Sequence, residues 1–495
     1  MTVKINVLAG WLTQVTVMVI GFFLMPYILR TIGDQPYGTW VFVNALVGYT
    51  GLLYLGFGDT IARYVSKHHA HEEWDKLNEV VSGICAAYCV SGVIAIMASV
   101  VVALLVPWIG NWEGSSLREV QGVVLILGVN AAVSIIGSTN GGVLYGIQRF
   151  DVEKGILVIG LFVKLGLTLY FLSNEWPLIT LALIFAAHTT LEQVLYYVCA
   201  RWLVPTLRVQ WRLVTWAAIK DSYGFALFSS MGLIAAKLIY DTDYIVIGLA
   251  LGQAAIVPYA IGSRLSEMIR RPILQIGEVF LPRASELHAQ SSHDILRSLS
   301  ARGMGVAFLL SAGLLIGGTY FGQMLINLWM GPDYPESRAI FLMLIGSQVV
   351  ASPIGILHMV LLGTGDVRFP SMIRLGQAVM NFALSLILVQ WYGIYGVAVG
   401  TLIPILLMDL GVLLPYGLRR LEMPLGWFLR VGLAPHLLPL GALWAYSHSI
   451  SMLTLPETWP VFLAVTTGGG AILLLAAGAV WYFTQRLAVT PAVVD

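Results

Sequence analysis

Arg264, Glu267, Arg271 and Glu278 recur at spacings of three, four and seven residues in a stretch otherwise rich in Ile, Leu and Met. At about 100° per residue these four share roughly 60° of one helix face, while Arg270 points elsewhere. A charge in hydrocarbon costs at least a few kcal/mol, so such residues face a polar cavity, pair with one another, or mark a site. The rise per residue puts Arg264 about 14 Å from one end of its span, with Arg271 deeper. Lys237 and Asp241 lie four apart on one face of the preceding apolar stretch, with Asp243 on another. A self-neutralising pair accounts for them as well as a lined cavity does. Lys164 is isolated near the middle of its own stretch, which favours a cation facing a lumen. Asp59 and Arg63, again four apart, fit either an interfacial salt bridge or a gating pair. His188 and Glu192 have the types for a proton relay, since His titrates near neutral pH, but a satisfied buried pair fits equally.

The elements that must hold these charges are membrane helices. Of the 495 residues, 58% are hydrophobic and 11% charged, against about a quarter charged in a soluble domain. Apolar runs near or beyond the roughly 18 residues needed to cross hydrocarbon recur along the whole chain. They predict an all-α polytopic membrane protein of about 14 transmembrane helices, at approximately 5–29, 38–62, 78–109, 120–147, 155–173, 177–200, 222–250, 254–282, 303–326, 339–362, 371–390, 394–417, 428–447 and 460–483. The first run is too long for a signal-peptide core and reads as a retained span. Short loops split sharply in Lys and Arg. Counting Arg374 and Arg430, at the edges of their spans, with the adjoining loops, nineteen of the 27 fall on one side, three (Arg30, Arg118, Arg338) on the other and five within spans, which predicts that both termini are cytoplasmic.

An offset of about 219 residues brings Gly33 onto Gly252, Arg63 near Arg283, Gly83 near Gly303 and Gly146 near Gly363 and Gly365. Such an offset indicates two related halves of six spans, a parallel repeat. The predicted organisation is an N-lobe at 1–205, an amphipathic cytoplasmic linker at 206–221, a C-lobe at 222–418 and two extra spans within 427–484. Arg208 to Asp221 alternates cations with Val209, Trp211, Leu213 and Trp216 and suits a short interfacial helix.

Several function classes are excluded or disfavoured. The net charge of +1 carries no basic tail or acidic tract for nucleic acid. No Walker loop is present, no cofactor is implied, and no segment between spans exceeds roughly twenty residues, leaving no room for a soluble catalytic domain. Cys85, Cys89 and Cys199 form neither a disulfide framework nor a metal set, and the His68, His69, His71 cluster has no second half, so no metal site is expected. Gly56-Phe57-Gly58-Asp59 and Tyr240-Asp241 resemble the paired motifs of intramembrane aspartyl proteases, but in the wrong order. A membrane glycosyltransferase or glycan polymerase needs a large external loop, and the segments near 327–338 and 448–459 are short. The chain reads as a non-enzyme.

Pro26, Arg30, Gly33, Tyr37-Gly38, Leu55-Gly56-Phe57-Gly58-Asp59 and Arg63-Tyr64-Val65-Ser66 resemble the first lobe of Wzx-type oligosaccharide flippases. That family belongs to the multidrug/oligosaccharidyl-lipid/polysaccharide exporter (MOP) superfamily. The resemblance implies a MATE-like fold of two six-helix lobes around a lumen. It also implies a lipid partner, undecaprenyl-diphosphate-linked oligosaccharide, moved to the outer leaflet of the bacterial inner membrane by alternating access and driven by an ion gradient. On that reading Lys164, Lys237, Arg264 and Arg271 attract the diphosphate, and Asp59, Arg63, Asp241 and Glu267 serve coupling or gating. A MATE-like antiporter of small organic cations is the alternative. Members of that branch usually carry an acid in the first span, and Ile5 to Leu29 has none.

Overall fold

In hydrocarbon each backbone N–H and C=O must be satisfied within the chain, which apolar runs of this length achieve as helices. The computed structural model describes residues 3–54, 57–109, 112, 117–173, 175–214, 234–235 and 237–489, side chains excepted at 3–9, 54, 57–59, 278 and 483–489. All secondary structure among them is helical, without strands. In chain order the helices are α1 (Val3–Ile32), α2 (Asp34–Gly48), α3 (Phe57–Ala70), α4 (Trp74–Ile109), α5 (Leu117–Gly146), α6 (Phe150–Phe171) and α7 (Pro177–Leu203). They continue as α8 (Thr242–Leu251), α9 (Ile256–Glu278), α10 (Phe280–Ala289), α11 (His293–Trp329), α12 (Glu336–Gly363) and α13 (Arg368–Ile405). After a π-helical segment (Leu406–Leu413) come α14 (Leu414–Arg420), α15 (Leu425–Phe428), a second π segment (Leu429–Leu433), α16 (Ala434–Ser451) and α17 (Trp459–Val489).

Ten stretches among the described residues are long and apolar enough to cross a membrane. One of them, Arg368–Arg420, has 53 residues, about 80 Å if straight, far beyond a 30 Å core. It is a hairpin folded at Gly393 (φ 57°, ψ −139°). Three expected spans depart from a plain apolar helix. The second is broken, with a 3₁₀ turn at Tyr49–Tyr54 between α2 and α3. The eighth, α9, carries Arg264, Glu267 and Arg271 on one face with Arg270 off it, and the seventh turns at Asp241, its start at 222–233 lying outside the described residues.

The chain divides into two compact units, Met1–Val257 and Pro258–Asp495. In the first, Val65 of α3, Leu77, Ile84 and Tyr88 of α4, Val143 and Leu144 of α5 and Tyr196 of α7 form a fully packed core. In the second, Ala284 and Leu287 of α10, Met304 of α11, and Leu357, Val360 and Leu361 of α12 form its counterpart. Much of α17 is left exposed, with Leu463, Leu474, Leu475 and Trp481 among its open side chains.

The backbone shows the repeat in detail. Residues with positive φ occur in matched pairs, Gly33 with Gly252 and Glu72 with Ser291 at an offset of 219, then Gln148 with Gly365 and Trp176 with Gly393 at 217. The two-residue deletion therefore falls between Glu72 and Gln148. Packing repeats too. A Cβ on Gly146 would strike Val65 and the Ala62 carbonyl, and one on Gly363 would strike Ala284 and the Leu281 carbonyl. These are equivalent residues, where the absence of a side chain lets helices approach closely. Glu119 accepts the Leu178 N–H at 3.1 Å at the start of α7, favourable at a helix N-terminus; the equivalent Glu336 acts electrostatically on the equivalent Tyr395.

After α7 the described part of the linker, Arg208–Val214, is not the α-helix that its alternation suits. Arg208–Val214 contains one 3₁₀ turn at Trp211–Leu213, and 215–221 lie outside the described residues. The side chain of Asn78 accepts from the Arg208 N–H (2.8 Å) and donates to the Thr206 carbonyl (3.1 Å). Ser82, one turn on, accepts from the Gln210 N–H (2.9 Å). Backbone groups satisfied from α4 in this way have no need of helical partners.

Candidate functional site

Within unit 1 two broken helices meet. The 3₁₀ turn that interrupts the second span begins at Tyr49, and the seventh span turns at Asp241 before α8 begins. The Tyr49 hydroxyl is hydrogen-bonded to Thr242 Oγ1. Lys237 and Asp241 form an ion pair, and Lys237 Nζ lies 6.0 Å from the Tyr49 ring centroid. Gly48 leaves the room, since a Cβ there would stand 3.0 Å from that Nζ. Both side chains of the pair are about one-third exposed. Discontinuous membrane helices whose free backbone ends face a cavity are a common way to build an ion or substrate site. The structure thus brings Lys237 and Asp241 together and adds Tyr49 and Thr242.

Lys164 of α6 stands apart from that pair. Its Nζ lies 3.6 Å from the ring centroid of Phe185 on α7, a cation–π contact, and Phe185 meets the edge of Trp40 at 4.9 Å. One turn beyond Phe185, His188 Nε2 lies 3.1 Å from Glu192 Oε1. Arg63 is exposed on α3, and the side chain of its expected partner Asp59 lies outside the described residues.

In unit 2 the face read from the sequence is occupied by a bridged triad. Glu267 Oε2 accepts from Arg264 NH1 at 3.0 Å, and Oε1 accepts from Arg271 Nε and NH2 at 3.0 and 2.7 Å. Both Arg271 donors share the one oxygen Oε1, a charge-assisted contact that leaves Oε2 to Arg264. Two guanidiniums against one carboxylate leave the triad itself with a net charge of +1. The three side chains are 33%, 28% and 51% exposed from Arg264 to Glu267 to Arg271, so a ligand can reach them. The fourth charge on this face, Glu278, has its side chain outside the described residues.

Further charges that the sequence reading passed over lie deeper in unit 2. Asp409, in the π segment and fully buried, contacts Arg374 of α13 at 3.2 Å, and the same Arg374 NH1 donates to Gln377 Oε1 at 2.9 Å. A lone acid in an apolar span was the available signal. No group of three or more His, Cys, Asp or Glu able to hold a metal occurs among the described residues.

No protein-family model matches the chain. Over 449 residues it is 19% identical to the uncharacterized membrane protein EpsK of Bacillus subtilis (strain 168), covering 89% of this chain and 88% of that one. Among solved structures, the lipid II flippase MurJ in an inward closed conformation superposes with a TM-score of 0.72 at 13% identity, over 98% of this chain and 100% of that one. An inward-facing multidrug resistance MATE family transporter of the MOP superfamily superposes with a TM-score of 0.68 at 14% identity, over 83% and 98%. The fold of this polytopic membrane protein is therefore that of a MATE family transporter of the MOP superfamily and of the flippase MurJ.

Proposed function

We propose that the protein moves an undecaprenyl-diphosphate-linked oligosaccharide from the cytoplasmic to the outer leaflet of the bacterial inner membrane. The product would serve synthesis of a surface polysaccharide such as O-antigen or exopolysaccharide, and the chain would perform no enzymatic step. The observation that carries this reading is the Arg264–Glu267–Arg271 triad, a net positive and partly exposed cluster. A diphosphate entering a low-dielectric site needs fixed cations, and paired guanidiniums suit phosphate oxygens. Lys237 and Lys164 are the further attracting groups, with Asp241, Glu267, Asp59 and Arg63 as coupling or gating residues. An N-lobe (1–205) and a C-lobe (222–418) joined by the 206–221 linker would alternate access, driven by an ion gradient, and 427–484 would supply two added spans. The Lys and Arg distribution supports an orientation with both termini cytoplasmic.

A proton or sodium antiporter of small organic cations is the second reading, favoured by the likeness to a MATE transporter. That cargo calls for a net acidic surface, and the triad is net basic. Deletion of the gene in its host separates the two. The flippase reading predicts loss of a surface glycan with lipid-linked oligosaccharide accumulating on the cytoplasmic side. Intact surface glycan together with new drug sensitivity overturns it.

A further inference from the structure

Asp409 is 0% exposed in an apolar helix, and its local environment is a poor one for a permanent anion. Arg374 NH1 is its ion-pair partner, at 3.2 Å from Oδ1 and 3.3 Å from Oδ2. That NH1 sits closer to Gln377, and Asp409 Oδ1 has no well-aligned hydrogen bond among the described residues. A buried ion pair offsets its desolvation only with excellent geometry and added hydrogen bonds, which this pair lacks. The backbone around Asp409, Leu406–Leu413, is π-helical, and π segments inside helices frequently mark functional positions.

From α12, His358 lies within reach of the Arg374 charge, and its buried Nδ1 has no partner among the described residues. From α13 come Arg374, 22% exposed, and the neutral Gln377. Two turns past Asp409, in α14, the Tyr416 hydroxyl donates to Asp366 Oδ2 at 2.5 Å, and Arg420 Nε approaches the same oxygen at 3.3 Å. Rise per residue places His358, Arg374 and Asp409 about 8, 9 and 16 Å from the ends of their helices, all at the Asp366 side.

We propose that Asp409 is a proton-binding site of unit 2, reached past Asp366 and Tyr416, and that Arg374 is held while the carboxylate is ionised and released when it is protonated. A proton from water adds to one carboxylate oxygen, the pair loses its charge attraction, and the guanidinium turns toward its exposed side. A metal ion fits the place badly, because hard cations require about six oxygen ligands and the carboxylate already faces a guanidinium. This site concerns the protein alone, so it stands or falls apart from the transport reading.

The test is infrared difference spectroscopy on the purified full-length protein in lipid nanodiscs, titrated between about pH 9 and pH 4, a range that covers carboxylates shifted upward by burial. The expected result is a protonated-carboxyl C=O band that is missing in Asp409→Asn. Arg374→Gln should move its midpoint up by about 1–3 pH units, the size of effect of losing an adjacent opposite charge, and Arg374→Lys should move it less. If Asp409→Asn does not insert, Asp409→Glu serves, with the band shifted in frequency. No Asp409-dependent band in that range, a midpoint indifferent to Arg374→Gln, or one that moves with sodium at constant ionic strength overturns the proposal.

Discussion

Removing both cations of the triad, Arg264→Ala with Arg271→Ala, changes the charge of that three-residue cluster from +1 to −1. Two unit charges about 5 Å apart interact by about 3 kcal/mol at an effective dielectric of 20. These side chains are 33% and 51% exposed, so solvent screening cuts that to about 1 kcal/mol per charge. Loss of two cations then weakens binding of a diphosphate by about 2 kcal/mol, roughly thirty-fold in Kd. Arg264→Lys with Arg271→Lys keeps the charge but not the forked donors, and should lose a smaller factor. Glu267→Gln raises the cluster to +2 and should tighten binding while costing stability, since two guanidiniums lose their shared acceptor. The assay is binding of a water-soluble polyprenyl diphosphate analogue to the protein in detergent at two salt concentrations. An alanine pair that inserts normally and binds as tightly as wild type would refute the reasoning, as would an affinity for Glu267→Gln weaker than for the alanine pair.

Gly146→Val and Gly363→Val should each destabilise by about 1–3 kcal/mol through overpacking, with similar losses of thermal midpoint in detergent because the two positions are equivalent. Asn78→Ala strands the Arg208 N–H and the Thr206 carbonyl and should cost about 1–3 kcal/mol, with hydrogen exchange at 206–210 rising more than in the core. Glu73 precedes α4, where hydrogen bonds from Lys76 and His68 hold its carboxyl down at about 2. A depressed carboxylate contributes stability above its ordinary range, near 4.5, and that contribution fades as pH falls toward 2. Melting curves of Glu73→Gln against wild type should thus differ at neutral pH and converge toward pH 2.

The all-helical membrane class was legible because hydropathy acts through local composition, and the repeat because glycines such as Gly33 and Gly252 recur at a fixed offset. The Arg264–Glu267–Arg271 bridge was legible for a local reason, since spacings of three and four place those side chains in contact on any helix. What stayed hidden depends on distant partners. The break after Gly48 is set where Tyr49 meets Thr242, 193 residues on. The conformation of the linker over 206–210 is set by Asn78 and Ser82, about 130 residues away. Arg374 lies so near the edge of the expected span 371–390 that it reads as a loop cation, and only the fold gives it Asp409. Glu72 and Ser291 have no residue signal for their left-handed backbone, although their matched positions record the repeat better than any motif.

The central claim is that this chain carries a lipid-linked oligosaccharide across the bilayer. Its most direct measurement is leaflet transfer in proteoliposomes. A fluorescent polyprenyl-diphosphate oligosaccharide is placed in both leaflets, an impermeant reagent bleaches the outer pool, and recovery of bleachable label is followed with and without a pH or sodium gradient. The account predicts recovery that requires the protein, responds to a gradient and is lost in Arg264→Ala with Arg271→Ala. Recovery no faster than in protein-free vesicles under every gradient, with the protein folded and inserted, would contradict it.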